Sequence, residues 1–134
     1  RDGELDDIYI LNGQQISFYK KNIREIDGKK CATTMLTDIW TDIAWEGIAN
    51  EGGVTFKKGK KPEKLLKRCL ELVTNEGDMV LDSFLGSGTT VAVAHKMKRK
   101  WIGIEMGEHC YSHSRARINY VIDGDKTGIS SIVD

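Results

Sequence analysis

Apolar positions fall into three patterns along the chain, and the clearest lies in its second half. After Pro62, the residues Leu65, Leu66, Cys69, Leu70 and Val73 recur at helical spacing. Proline at the first helical position loses no hydrogen bond and already has a helical torsion, so the spacing predicts a helix from Pro62, with Gly77 closing the unit. Met79-Val80-Leu81, between Gly77 and the Gly86-Ser87-Gly88 turn, has the length and flanks of a fully buried parallel strand. Residues 89–97 are rich in small side chains, Ala92 and Ala94 among them, which suits a helix packed closely on a sheet. Lys98-Arg99-Lys100 turns the chain, and Trp101-Ile102-Gly103-Ile104 makes a second strand ending on Glu105. The sum is one strand, helix, strand unit with a right-handed crossover expected. A final amphipathic helix is expected from about residue 108 to 122, before a polar tail that starts at Asp123-Gly124-Asp125.

The first half is less regular. Ile8-Tyr9-Ile10-Leu11, Asn12-Gly13 and residues 14–19 read as a β-hairpin, because Asn-Gly supplies the positive torsions of a tight primed turn. Residues 20–30 are charged and contain Asp27-Gly28, which predicts an exposed connection. Trp40, Ile43, Trp45 and Ile48 suggest a short, partly buried segment without clear periodicity, and both tryptophans read as packing residues rather than base-stacking ones. Gly52-Gly53 and Lys57-Lys58-Gly59-Lys60-Lys61 mark a flexible basic stretch, which reads equally as an exposed loop and as a phosphate contact.

Composition narrows the class. The chain has 134 residues and is 40% apolar, enough for one compact domain with a real core. Twenty Lys plus Arg balance twenty Asp plus Glu, so the overall field does not attract nucleic acid and any such contact must be local. Three cysteines, Cys31, Cys69 and Cys110, fit free thiols in a reducing cytoplasm. No apolar run approaches the roughly 18 residues of a membrane span, so no membrane partner is expected. The opening Arg1-Asp2, without methionine or signal-like stretch, reads as a fragment of a longer protein.

Candidate chemistry concentrates between Asp82 and Glu105. The segment Asp82-Ser83-Phe84-Leu85-Gly86-Ser87-Gly88-Thr89-Thr90 leaves the carboxyl end of a strand and enters a helix, the place where open α/β sheets bind ligands. Its glycines let backbone approach a ligand, and Glu105 follows Gly88 by 17 residues. That approaches the offset of about 20 at which an acid meets a ribose hydroxyl. Thr89 stands where a phosphate loop needs lysine, and Val91 stands at the third glycine of the dinucleotide fingerprint. An adenosyl cofactor with an amino-acid tail needs a ribose acid, a close glycine turn and an acid for its ammonium; Glu105, Gly86 to Gly88 and Asp82 supply those parts. His109 and His113 lie one helical turn apart around Cys110, yet read as solvated helix histidines, and no metal is expected.

Three of these segments carry a family resemblance. The Asp82 to Thr90 loop resembles the cofactor motif of bacterial amino-methyltransferases that modify DNA bases. Phe56 and Lys60-Lys61-Pro62-Glu63-Lys64-Leu65-Leu66 resemble the Lys-Pro-x-x-Leu motif that precedes it in their permuted group, and Trp101-Ile102-Gly103-Ile104-Glu105 resembles their ribose-acid strand. Thr37-Asp38-Ile39-Trp40-Thr41-Asp42-Ile43, Ala49-Asn50-Glu51-Gly52-Gly53, Val121-Ile122-Asp123-Gly124-Asp125 and Gly128-Ile129-Ser130 resemble the modification subunit of type III restriction-modification systems, from about residue 18 to the end. The resemblance implies an incomplete Rossmann-like, α/β, S-adenosylmethionine-dependent core with an N-terminal hairpin, methylating the exocyclic amine of adenine. It implies double-stranded DNA, a second modification subunit and a restriction subunit as partners of the whole protein. Cofactor contacts carry over to Lys61, Pro62, Asp82, Phe84, Gly86, Ser87, Gly88, Thr89 and Glu105. Ser83 departs from the proline of many relatives.

The family's catalytic motif, an Asp or Asn followed by two prolines and an aromatic residue, is not within these residues, because the only proline is Pro62. No catalytic residue is therefore assigned, and the isolated chain is expected to be inactive. Residues 1–55 are expected to form the hairpin and connecting segment, and 56–134 the cofactor-binding half. Two rivals stay open: methylation of cytosine's amine, and a non-catalytic assembly module whose unpaired sheet edge makes a homodimer.

Overall fold

A computed structural model describes residues 9–16, 22–57 and 59–133 of the chain. Ile8 and residues 17–21 of the expected hairpin and connection, and Lys58 of the basic stretch, lie outside them. The chain divides after Ile39 into two compact units.

Among its described residues the first unit contains two hairpins. Strands β1 (Tyr9–Leu11) and β2 (Gln14–Ile16) pair antiparallel, with Leu11 opposite Gln14. Asn12 and Gly13 both take positive φ, 52° and 76°, as a primed two-residue turn requires. Strands β3 (Ile23–Ile26) and β4 (Lys29–Ala32) form a second hairpin, with Ile26 opposite Lys29, where residues 20–30 suggested only an exposed connection. Asp27-Gly28 makes the same kind of turn, φ 52° and 73°. Every side chain of β3 faces solvent, so no alternation of apolar and polar positions betrays it.

The second unit is built on a strand, helix, strand unit. Helix α1 (Glu63–Val73) follows Pro62, whose φ of −61° and ψ of 137° lead the chain into the first turn. It ends at Thr74, whose N–H and hydroxyl both donate to the Leu70 carbonyl, at 2.8 and 2.6 Å. Gly77 comes too late to end it: at φ 86° it turns the chain towards the next strand instead. Strand β5 (Met79–Asp82) pairs parallel with β6 (Lys100–Gly103), Val80 beside Trp101 and Asp82 beside Gly103. Helix α2 (Thr89–Lys96) connects them, and its Val91, Ala92, Val93 and Ala94 are completely buried. Val93 and Ala94 pack with Leu70, Val80, Met97 and Ile129, while Val91 and Ala92 pack with Ile118 and Val121. Small side chains let this central helix touch neighbours on two sides. The sheet, by contrast, is covered on one face only: Val80 is buried, but Met79, Leu81 and Ile102 are each at least half exposed, so β5 is not the fully buried strand that its apolar run suggested.

The expected last helix begins with a π turn, Cys110–Ser114, before α3 (Arg115–Ile122). The polar tail is not a tail. Asp125, Ile129 and Ser130 are buried, and Ser130–Val133 forms a short helix, α4. What draws this segment in is a charge network around Glu63. Glu63 Oε1 accepts a hydrogen bond from Arg117 (2.7 Å), and its Oε2 accepts from Lys96 Nζ (2.8 Å) and the Ile129 amide (3.1 Å). Lys96 also donates to Asp125 Oδ2 at 2.6 Å and to the Thr127 carbonyl at 2.9 Å. Burial alone would raise the Asp125 carboxyl, but the hydrogen bonds from Lys96 and Thr127 outweigh it and hold it below its ordinary range.

Residues 40–57 cluster with this second unit. A 3₁₀ segment, Ile48–Gly53, lies against α3. Glu51 accepts the Glu63 amide (3.0 Å) at the start of α1, and the Gly52 amide donates to Thr127 Oγ1 (2.7 Å). Burial raises the Glu51 carboxyl. Lys60 is buried, and its ammonium donates to the carbonyls of Ala49, Glu51 and Val54 at 3.0, 2.7 and 2.6 Å. Burial, and then the positive charge of Arg117, lower its pKa.

Gly52 is where residues 40–57 press most closely on α3. Its φ is +63°, and a Cβ there would overlap the Arg117 side chain. Gly47, at φ +77°, has open space around its Cβ position. Gly47→Ala therefore isolates backbone strain, at about 1 kcal/mol, whereas Gly52→Ala adds overpacking and should cost about 3 kcal/mol in all. Denaturant unfolding of both variants measures the difference; equal losses would refute the close approach of Gly52 to Arg117.

Candidate functional site

The Asp82 to Thr90 segment leaves the carboxyl end of β5 and is tied to the end of β6. Ile104 N–H donates to the Asp82 carbonyl (2.8 Å), and Leu85 N–H donates to the Ile104 carbonyl (3.0 Å). The Asp82 carboxylate turns over its own chain and accepts the Phe84 amide at 3.0 Å, a local bond that fixes the first bend. Gly86 (φ 53°) and Gly88 (φ 77°) make the next two bends, and Gly88 leads into α2. The result is a groove of about 170 Å³, with Lys61 and Leu66 on one wall and Asp82, Phe84, Ser87 and Thr89 on the other.

Six of the nine expected contact residues therefore line one groove: Lys61, Asp82, Phe84, Gly86, Ser87 and Thr89. Three do not. Pro62 is completely buried; it starts α1 and so presents Lys61. Gly88 is buried behind the loop, where a Cβ would come within 3.3 Å of the Ser114 Cα. Glu105 turns towards the loop backbone: its Oε2 accepts the Gly86 amide (2.8 Å) and its Oε1 the Gly107 amide (3.0 Å). His109 Nε2 lies 3.1 Å from Glu105 Oε2. Two amides are bound to one carboxylate, so the acid organises the loop before it can meet any ligand.

The basic and aromatic neighbours separate into different roles. Lys60 is consumed by backbone carbonyls and cannot serve a phosphate, whereas Lys61 is exposed and lies 5.7 Å from the Trp45 ring centroid. Trp45 is 57% exposed, against the expectation that it packs, because the Lys61 ammonium rather than the core covers its ring. Trp40 is half-buried under the Arg68 guanidinium (5.2 Å), which itself grips Asp42 through two bonds of 2.9 and 2.5 Å. The Arg68 bond holds the Asp42 carboxyl at about 2. Phe56 packs between His109 (5.6 Å) and His113 (5.3 Å), and with Thr55, Lys57 and His113 it lines a second, mostly apolar hollow of about 700 Å³. Ser112 Oγ bonds His113 Nδ1 at 2.7 Å. Among the described residues, no three His, Cys, Asp or Glu side chains converge as metal ligands, and the three cysteines are free.

Two residues that sequence reasoning missed touch the loop from beneath. Ser114 Oγ donates to the Gly86 carbonyl at 2.6 Å, and Arg117 donates to Thr89 Oγ1 at 2.8 Å. A serine and an arginine three apart on an amphipathic helix read as solvated, and only the buried register of the π turn reveals them.

The amides of Gly107 and Gly86 hold the Glu105 carboxyl at about 2, against an ordinary 4.5. A depressed folded pKa means that the contribution of these bonds is complete above pH 4.5 and is lost as pH falls from there through about 2. The Gly86 and Gly107 amide resonances should therefore stay fixed between pH 7 and about 4.5 and move below it, while Glu105→Gln should displace both at neutral pH. A titration midpoint at or above 4.5 for these amides would contradict the geometry.

Residues 7–115 match the DNA methylase family of N6/N4 methyltransferases. The chain is 50% identical over 97 residues to a probable type III restriction-modification enzyme HindVI Mod subunit of Haemophilus influenzae, covering 72% of the chain and 13% of that protein. It is 46% identical over 72 residues to the type II methyltransferase M.BamHI of Bacillus amyloliquefaciens, covering 54% of the chain and 16% of the relative. With the type II methyltransferase M2.DpnII of Streptococcus pneumoniae it shares 36% over 92 residues, 69% of the chain and 32% of the relative. The chain thus spans less than a third of the length of each of these relatives. A glycine loop rooted between two parallel strands, an acid on its backbone and a match across most of the sequence agree: the chain belongs to the DNA methylase family.

Proposed function

We propose that these residues are the S-adenosylmethionine-binding part of a DNA adenine-N6 methyltransferase, the modification subunit of a type III restriction-modification system. The groove that joins Lys61 to the Asp82–Thr90 loop carries this reading. Its chemistry suits an adenosyl ligand better than a diphosphate. Asp82 offers a carboxylate for an ammonium and Phe84 an apolar wall at 88% exposure, while the groove's lysine, Lys61, comes from the segment before α1 and not from the glycine loop that would cradle a phosphate. At about 170 Å³ the groove is smaller than the 300–1,000 Å³ of ordinary ligand pockets, which fits a site completed by other parts of the protein. A complete Rossmann-like core is part of the same proposal.

The bound cofactor supplies an activated methyl group. In this assignment Asp82 would hold the amino-acid end, Glu105 would accept from ribose hydroxyls while still holding the Gly86 amide, and the Gly86 to Thr89 backbone would lie against the ligand. The target adenine leaves the duplex, at a cost of a few kcal/mol, to bring its amine to the site. Adenine rather than cytosine, and a second modification subunit, a restriction subunit and double-stranded DNA as partners, rest on likeness to the type III Mod subunit. The assembly-module reading draws on the half-exposed sheet face of Met79, Leu81 and Ile102, which suits pairing with another chain.

Calorimetric titration of the 134-residue chain should give binding of S-adenosylhomocysteine in preference to ATP or NAD; tighter ATP binding would overturn the assignment. Glu105→Ala should weaken that binding by roughly tenfold to a hundredfold, and an unchanged dissociation constant would remove Glu105 from the site. With its single proline the chain lacks the two-proline catalytic motif, so radiolabelled cofactor and adenine-containing duplex should yield no transfer above background. Turnover would mean that catalysis uses residues within these 134.

A further inference from the structure

The glycine loop is held from beneath as well as from its groove side. Ser114 and Arg117 are three residues apart across the junction of the π turn and α3, which places them on one face, and both are almost completely buried. Ser114 Oγ donates to the Gly86 carbonyl (2.6 Å), while the Gly86 amide donates to Glu105 (2.8 Å), so both polar groups of this one residue are pinned. Arg117 NH1 donates to Thr89 Oγ1 (2.8 Å), and Thr89 in turn bonds Ser87 Oγ (3.0 Å). Gly88 rests directly on Ser114. Each residue of the segment Gly86 to Thr89 is thereby connected, directly or through its neighbour, to one short stretch of helix that does not line the groove. π turns are uncommon and concentrate at functional sites.

We propose that Ser114 and Arg117 are positioning residues for ligand binding: they fix the Gly86–Thr89 backbone in the shape that receives the adenosyl ligand, and they do so without touching it. This rests on the adenosyl reading of the groove. Arg117 adds no net charge beneath the loop, because its other arm is neutralised by Glu63 at 2.7 Å. What it contributes is place. Removing the Ser114 hydroxyl leaves the half-buried Gly86 carbonyl without its donor and lets the Gly86 peptide rotate, so the loop samples shapes that must be reordered on binding.

The test compares two buried serines. Ser130 is buried like Ser114 but donates to the Asp125 and Thr127 carbonyls, away from the loop. In the 134-residue chain, Ser114→Ala should weaken S-adenosylhomocysteine binding about tenfold and speed amide exchange at Gly86 and Gly88 while leaving Val93 protected. Ser130→Ala should lower the melting temperature and leave affinity within about twofold. Arg117→Lys, which keeps the charge facing Glu63 and shortens the reach to Thr89, should act on the loop in the same direction; if it fails to fold, Ser114→Ala still decides. Wild-type affinity in Ser114→Ala, or equal weakening by Ser130→Ala, would overturn the proposal. A wild-type chain that binds no adenosyl ligand would overturn the cofactor reading instead, and the exchange comparison would still decide whether Ser114 holds the loop.

Discussion

The carboxylate of Glu63, wholly removed from water, is the constraint on which the second unit depends. A buried charge is tolerable only when it is paired and its remaining lone pairs are satisfied. Glu63 meets that condition through Lys96 of α2, Arg117 of α3 and the Ile129 amide of the final segment, so one side chain of α1 fixes the positions of three other elements. Packing alone would not do this. The apolar contacts of Val91, Ala92, Val93 and Ala94 are small and smooth, and could slide by a fraction of a turn; charge-assisted hydrogen bonds cannot. Such pairs define geometry more than they add stability, since burying the ions offsets much of their attraction.

From this anchor the route to the loop is short. Arg117 has one arm on Glu63 and the other on Thr89, at the start of α2, where the glycine loop becomes helix. Pro62, the residue before Glu63, delivers Lys61 to the opposite wall of the groove. The same few residues that neutralise the interior therefore set the distance between the two walls. On the outer side Glu105 does for the loop amides what Ser114 does for its carbonyl. A loop so constrained has little to lose in conformational entropy when a ligand arrives.

The strand, helix, strand unit was legible in the sequence because its signals are local: the apolar run at Met79 to Leu81, the glycines at 86 and 88, the small residues of α2. Most of the groove was legible for the same reason, since nine of its ten lining residues lie in two short motifs. What was hidden is tertiary. Lys96 lies 33 residues from Glu63, and Arg117 lies 54, and each alone reads as a solvated helix charge. The buried segment around Ile129 looked like a polar tail because its attraction is to charges elsewhere, not to its own neighbours. The β3–β4 hairpin was hidden for the opposite reason: with all of β3 exposed it has no apolar rhythm, and only Asp27-Gly28 marks it. Trp45 was assigned to the core on the strength of its size, yet an ammonium serves its ring as well as aliphatic neighbours would.

Electroneutrality of the interior gives the final segment a significance that its length conceals. Two acids, Glu63 and Asp125, balance two bases, Lys96 and Arg117, and the four lie within one connected set of contacts. Asp125 is the last of the four to leave the ribosome. Until it docks, Lys96 and Arg117 share the single carboxylate of Glu63, and Lys96 lacks its second acid. Sealing Lys96 from water in that state costs more than sealing it with both carboxylates in place. Closure of the second unit is thus bound to the docking of Asp125, and the helices that carry the glycine loop complete their packing only when the segment that follows α3 is in place.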